Sequence, residues 1–474
     1  MALIDIGDLQ LSRDSRTKQD ALFDAIRDKI VAQLWGKGLK LPSTRKLALE
    51  LGLSRNTVIH AYEQLHTEGY LESRAGSGYF VTLELPDQFV ATAFQVETPS
   101  KPLKAKGHSR AFSPGVPDLS EFPTQKWQRL LMRHTGRISL LGGQDIQGDQ
   151  NLRAALASYL ATSRSVVCDP DRIVVTSGAQ QALAIAALLT SQKDRRLLME
   201  QPGYAQMAKV LKLFNFELYS APVHPIQGLD LDAVERSDAE AIYVTPSNQY
   251  PLGTTLDINQ RLRLIEWAKT RGGWIIEDDY DSEFQFAHRP YPSLQGLAAK
   301  TGHDQHVIYV GSLSKVMFNG LRMGYLVLPQ SMVAEALVLK DALSGDSPTH
   351  TQAALADFIA EGDLVRHIRK MRRLYKQKHQ LMVTMIERYF SNSVEVISQA
   401  AGLHVTVRWY GAISEEEWAQ RANACGIVIR PFNYYEQFDG VGQRDWSGAV
   451  LGFGNVPMGE IEPKIRTLAE LFKS

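Results

Sequence analysis

From residue 113 onward the sequence alternates two apolar rhythms, and this alternation restricts the fold more than any other feature. "RIVVTSG" (172–178) runs into "AQQALAIAALLT" (179–190), and "RRLLMEQPGY" (195–204) into "AQMAKVLKLF" (205–214). "AIYVTPSN" (241–248) and "GGWIIEDDYD" (272–281) repeat the first rhythm. Short apolar runs bounded by turn residues are strands buried on both faces, and the runs between them have helical period. The pattern predicts an α/β unit with a mostly parallel sheet, whose ligands gather at the carboxyl ends of its strands.

With 474 residues, the chain exceeds what a single hydrophobic core serves, so a second domain is expected. Formal net charge is zero, which excludes a global pull toward nucleic acid or membrane and leaves any DNA binding to a local patch. Only Cys168 and Cys425 occur, far apart and without metal-ligand spacing, as in a reducing compartment. The first residues carry acids where a secretory signal carries bases, and the longest apolar run, "ALAIAALL" (182–189), is too short for a bilayer. A cytoplasmic protein without membrane contact is expected.

The second domain is sought at the start. Leu22, Phe23, Ile26, Ile30, Val31 and Leu34 share one face of a helix beginning near Lys18. In "LPSTRKLALELGLSRNTVIHAYEQLHTEGYLESRAGSGYFV" (41–81), Ser43 can cap one helix that Gly52 ends, and Ser54 can cap another. "YLES" and "GYFV" flank "RAGSG" as a hairpin. Helix, turn, helix and hairpin form a winged helix-turn-helix over 13–83, followed by an irregular, proline-containing linker over 84–112 and the α/β unit over 113–474. Residues 1–85 hold eleven bases and eleven acids, yet between Lys37 and Thr57 five bases face only Glu50. Arg55, Asn56 and Thr57 open the second helix, where base edges are reached; Arg45 and Lys46 suit phosphates, and Gly76 and Gly78 let the wing approach closely. This stretch resembles the DNA-binding domain of GntR-family regulators, which implies operator contacts at Arg45, Arg55, Thr57 and Gly76.

The chemistry-bearing residues of the α/β unit stand at strand ends. Gly178, Ala179 and Gln180 open a helix whose free amides suit a phosphate, and Tyr204 can stack on a planar ligand. Glu277, Asp278 and Asp279 follow the apolar Trp274, Ile275 and Ile276 and need partners: a metal, which lacks a neighbouring histidine, or a pyridinium nitrogen. "HVIYVGSLSK" (306–315) brings Lys315 to the same edge. Together these are the parts of a pyridoxal 5'-phosphate site. Lys315 forms the imine, Asp278 pairs with the ring nitrogen, Tyr280 meets the phenolic oxygen, and Ser312 and Arg322 close on the phosphate. No metal is expected.

Residues 113–474 resemble the fold-type I aminotransferases, the PLP-dependent transferase fold. Joined to the GntR-like start, the chain resembles the MocR (GabR-like) regulators over its whole length. That resemblance implies the same roles for Lys315, Asp278, Tyr280, Ser312 and Arg322, and a head-to-tail, domain-swapped homodimer. Two departures stand out. "TPSNQYPLG" (245–253) leaves either Asn248 or Tyr250 for the usual ring-contacting asparagine, and "LGGQDIQGDQNLRAAL" (141–156) lacks the upstream tyrosine of many enzymes. For an effector carboxylate the C-terminal part offers Arg430, the preferred residue, and Arg444. The expectation is a PLP-dependent transcription regulator sensing an amine or amino acid by aldimine exchange at Lys315. An active aminotransferase with a DNA-binding appendage, or a regulator sensing pyridoxal phosphate itself, are the alternatives.

Overall fold

In a computed structural model of the chain, residues 9, 11, 17–83, 110–143, 145–190, 195–287, 291–411, 413–438 and 444–473 are described. The chain divides into two compact units, 1–105 and 106–474.

The first unit packs three helices and a hairpin. Helix α1 (Lys18–Val31) buries Leu22, Phe23, Ile26 and Ile30. It stops before Leu34, so Val31 and Leu34, expected inside, are exposed. Helix α2 (Thr44–Leu51) starts at Ser43, whose hydroxyl accepts from Lys46 N, and ends at Gly52, left-handed with φ 61°. Helix α3 (Arg55–Thr67) starts at Ser54, which accepts from Thr57 N, and buries Val58, Ala61, Tyr62 and Leu65. These caps satisfy amides that would otherwise lack partners, which is why each helix begins there. Strands β1 (Leu71–Arg74) and β2 (Gly78–Val81) pair antiparallel as the wing.

The second unit is built on an eight-stranded sheet. Its strands are β3 (Ile173–Thr176), β4 (Arg196–Gln201), β5 (Glu217–His224), β6 (Gly228–Leu229), β7 (Ala241–Val244), β8 (Trp274–Asp279), β9 (Val307–Ser312) and β10 (Gly324–Val327). Their order is β3-β10-β9-β8-β7-β4-β5-β6. Strands β5, β4, β7, β8 and β9 run parallel, as the alternating pattern predicts; β10 lies antiparallel between β3 and β9. The sequence reading had no strand there, because "GYLV" is short and gives no sign of direction. Glu277, Asp278 and Asp279 form the carboxyl end of β8, where the sequence places them. Buried side chains form separate clusters on the sheet's faces, one around Ile185, Met199 and Ile308 and another around Ile242, Leu264 and Ile275.

A second sheet, β11 (Glu395–Val396), β12 (His404–Trp409), β13 (Arg430–Pro431) and β14 (Ser447–Gly452), is antiparallel in the order β11-β12-β14-β13. The 28-residue helix Asp363–Phe390 leads into it, burying Leu364, Ile368, Met371, Tyr375 and Met382 at helical spacing. Residues 110–112, expected as linker, belong to this unit. Phe112 is fully buried, Ala111 bridges to Ile427, and Gly452 N donates to Phe112 O. Further on, Lys378 donates to Asp118 and to Gly454 O, which accounts for a lysine buried in the core. The rest of the expected linker, 84–109 with Lys101, Lys104 and Lys106, lies outside the described residues.

Candidate cofactor and DNA-binding sites

The carboxyl ends of the parallel strands open into a cavity of about 320 Å³. Ala179 and Gln180 line it from the helix Ala179–Leu189, Tyr204 from the end of β4, Tyr280 from the end of β8, Ser312 as the last residue of β9, and Lys315 and Arg322 from the β9–β10 connection. Of the residues expected at the cofactor, Gly178 and Asp278 are not among those lining the cavity.

The acids around β8 are told apart by their partners. Glu277 accepts from Leu294 N and Gln295 N at the start of the helix Leu294–Lys300. Asp279 is paired with Arg164 at 2.5 Å and accepts from Tyr309 at 2.7 Å. Asp281 accepts from Asn248 Nδ2 at 2.7 Å. Asp278 has one oxygen bonded to Tyr243 and the other, Oδ1, buried with no partner. Burial raises its pKa to about 7, against the hydrogen bond from Tyr243. Asp279 also leaves one oxygen, Oδ1, buried without a partner, but its charge is met by Arg164; Asp278 is bonded to no cation, and its open oxygen suits a protonated ring nitrogen. Among the described residues no group of three His, Cys, Asp or Glu side chains could hold a metal ion.

The phosphate end fits as well. Gly178 caps its helix at φ 94° with no side-chain cap, leaving the first amides free. The φ of 94° favours glycine, and a Cβ here would stand 3.3 Å from Arg322 Cζ, so a side chain would push the arginine back a few tenths of an ångström from the helix start. Arg322 donates to Ser177 O. Part of the Lys315 surface opens to the cavity, but its amine is packed deeply and donates to Gly115 O at 2.7 Å. Burial lowers its pKa, opposed by Asp281 and Asp278. A lysine so placed reaches its neutral, nucleophilic form more readily than one at the surface.

Two open choices are separated by geometry. Tyr250 lines the cavity and its hydroxyl meets that of Tyr435 at 3.0 Å, whereas Asn248 turns its amide to Asp281. Tyr280 OH donates to the carbonyl of Asn248. Arg444 is held by Glu415 at 2.6 Å and Glu436 at 2.9 Å. Arg430 lines the cavity, lies over the Tyr434 ring at 4.6 Å, and has no carboxylate partner among the described residues.

Sequence reasoning missed several lining residues: Pro114 and Gly115, Tyr243 and Thr245, Gln206, Asn319 and Tyr435. Tyr243 lies on β7 and Thr245 is the first residue past its end, two positions on, so the period-2 rule could have marked both once the strand end was known. Gly115, φ +77°, was legible only as a turn; a Cβ there would lie 2.1 Å from the Lys315 amine.

In the first unit Arg45, Arg55 and Asn56 are exposed, and Thr57 is half-buried with its hydroxyl 2.8 Å from that of Ser54. Gly76 sits at the wing tip at φ +73° with open space around it.

Comparison with known proteins matches both units. Residues 115–442 fit the aminotransferase class I and II family, and residues 18–81 fit the gntR family of bacterial regulatory proteins. The α-aminoadipate aminotransferase LysN of Thermus thermophilus, solved with a phosphopyridoxyl-leucine, is similar at a TM-score of 0.70 and 25% identity, covering 77% of this chain and 92% of that one. The fold and site are those of a pyridoxal phosphate-dependent, aminotransferase-like domain joined to a winged helix-turn-helix. Over its full length the chain is similar to the probable rhizopine catabolism regulatory protein MocR of Rhizobium meliloti, 34% identical over 98% of this chain and 96% of that protein. It is 31% identical to the pyridoxine biosynthesis regulator PdxR of Corynebacterium glutamicum, over 76% of this chain and 77% of that one. The chain belongs to the MocR-type, gntR-family transcription regulators. Among the described residues no helix is long and apolar enough to cross a membrane.

Proposed function

We propose that this regulator senses a small amine or amino acid at the cavity and reports it to operator DNA. Pyridoxal phosphate, when bound, supplies an electrophilic carbon for a primary amine and a ring that withdraws electrons. Lys315 holds that carbon in the resting state. The Gly178–Gln180 amides, Ser312 and Arg322 take the phosphate, Asp278 the ring nitrogen, Tyr280 the phenolic oxygen, and Tyr204 covers the ring face. An effector amine competes with Lys315, and Arg430 receives the effector's carboxylate. The observation that carries this reading is the contrast between the two arginines: Arg444 is neutralised by two glutamates, whereas Arg430 shares a cavity with Lys315, lies over the Tyr434 ring and has no carboxylate partner among the described residues.

At the other end, Arg55, Asn56 and Thr57 read bases, Arg45 holds a phosphate, and the Gly76 tip lets the wing approach the backbone. The protein works in the cytoplasm as a head-to-tail, domain-swapped homodimer. A ligand shifts DNA binding only by its differential affinity for two arrangements of that dimer. The similarity to a pyridoxine biosynthesis regulator supports a second reading, in which the cofactor itself is the signal.

The test is operator binding by holo-protein, with and without candidate amines, for wild type and Lys315→Ala. The expected result is an amine response in wild type that Lys315→Ala loses while still binding operator. A response that persists in Lys315→Ala rejects the lysine as sensor. A difference between apo- and holo-protein without any amine selects the second reading.

A further inference from the structure

Tyr243, on β7, has no exposed surface, lines the cavity, and donates its hydroxyl to Asp278 Oδ2 at 2.8 Å. The register explains the contact. Tyr243 stands opposite Ile276 in the parallel β7–β8 pair, so Asp278, two residues further on, shares its face as a diagonal neighbour. Among the described residues this is the one hydrogen bond that Asp278 accepts, and Oδ1 is left over.

The surroundings of Asp278 are unfavourable for a charge. Glu200 approaches from β4, Tyr204 from the helix that follows β4, and Asp279 and Tyr280 from its own chain segment; Lys315, beyond β9, is the cation among them. Burial and Asp279 favour the protonated acid, whereas Tyr243 and Lys315 favour the carboxylate. A neutral phenol donor stabilises a carboxylate and fixes its rotamer without adding a charge to the site. The phenol is itself pushed far above its ordinary pKa by burial and by Asp278, so it stays a donor across the working pH range.

Resting on the cofactor reading above, we propose that Tyr243 is a positioning residue for pyridoxal phosphate. Its hydroxyl holds one oxygen of Asp278 so that the other remains available to the ring nitrogen, and it keeps that carboxylate ionised among neighbouring acids. Tyr243 touches the cofactor's electronics only through Asp278.

The test measures the dissociation constant of pyridoxal phosphate for the full-length apo-protein from pH 6 to 9, in wild type and Tyr243→Phe. The cofactor's own titration cancels in the ratio of the two. Loss of a hydrogen bond to a charged group predicts about ten-fold weaker binding at pH 7. Without its donor, Asp278 ionises at higher pH, so the deficit shrinks toward pH 9. Equal affinities, or a deficit constant across the pH range, would overturn the proposal, because a purely structural role gives no pH signature. In an Asp278→Asn background, Tyr243→Phe should add no more than ~2-fold, whereas additive losses would also overturn it. Tyr243→Gln retains a donor and tests the same point if the phenylalanine variant does not fold: it should keep the wild-type pH profile, and a shifted profile contradicts the proposal. Wild-type protein that fails to bind the cofactor at all would instead refute the functional reading on which this one rests.

Discussion

In the first unit, the residues proposed to face DNA lie between positions 45 and 76, on two short helices and a hairpin whose caps are their immediate neighbours in sequence. In the second, one cavity gathers side chains from Pro114 to Tyr435, brought together by a sheet of eight strands. The head presents exposed side chains on a locally determined scaffold, and so can lose one without losing its fold. The cofactor unit buries several charges and holds some of them with specific partners, Arg164 with Asp279 and Lys378 with Asp118, so a single removal there disturbs both stability and site. Function on a surface tolerates change that function in a core does not.

The strongest way to break this comparison is Arg164→Ala. Arg164 and Asp279 are a buried pair, each almost free of solvent. Removing one partner of such a pair costs about 3–5 kcal/mol because the other charge is stranded. Calorimetry should show the transition of the cofactor unit falling while that of the head stays in place. A drop shared equally by both transitions would mean that the two units are not energetically distinct.

Next in size is a pH effect at Glu200. Its carboxyl is fully buried, and burial raises its pKa from 4.5 to about 7, partly offset by hydrogen bonds from Thr245. Because the folded pKa lies above the unfolded one, the stability this group contributes is complete below pH 4.5 and is lost as pH rises through 7. Glu200→Gln lacks that loss. The stability difference between variant and wild type should therefore move in the variant's favour by about 3 kcal/mol between pH 4.5 and 8, read from urea unfolding. A difference independent of pH would mean that Glu200 is solvated in the folded protein.

The smallest expected effect sharpens the other side. Arg55→Ala should weaken operator binding by about 1–3 kcal/mol and relax base preference at one position. The cofactor's absorbance and the unfolding profile should remain those of wild type. A change in either would show that the head is less independent than its local architecture suggests.

Much of this was legible without coordinates. Ser43, Gly52 and Ser54 act as caps and terminator because a short polar side chain or a left-handed glycine satisfies helix-end groups a few residues away. Lys315, Ser312 and Arg322 were legible because they cluster at the end of a recognisable strand and in the connection after it. The antiparallel β10 was not, since strand direction depends on which neighbour it pairs with rather than on its own residues. Nor was the attachment of residues 110–112, whose partners Ile427 and Gly452 lie more than three hundred positions away.

By itself, the sequence determined the capped helices and hairpin of the first unit, the alternation of strands and helices between residues 172 and 281, and the kinds of side chain gathered at the strand ends. These are set by interactions of short range along the chain and by the period of apolar residues. Tertiary structure alone decided which acid of the cluster is already paired with an arginine and which has only a phenol for a partner, which of two C-terminal arginines is already neutralised, and that Tyr250 rather than Asn248 enters the cavity. Such choices depend on the partner that each charged or polar group finds across the fold, and in a buried site that partner sets both its protonation and its availability.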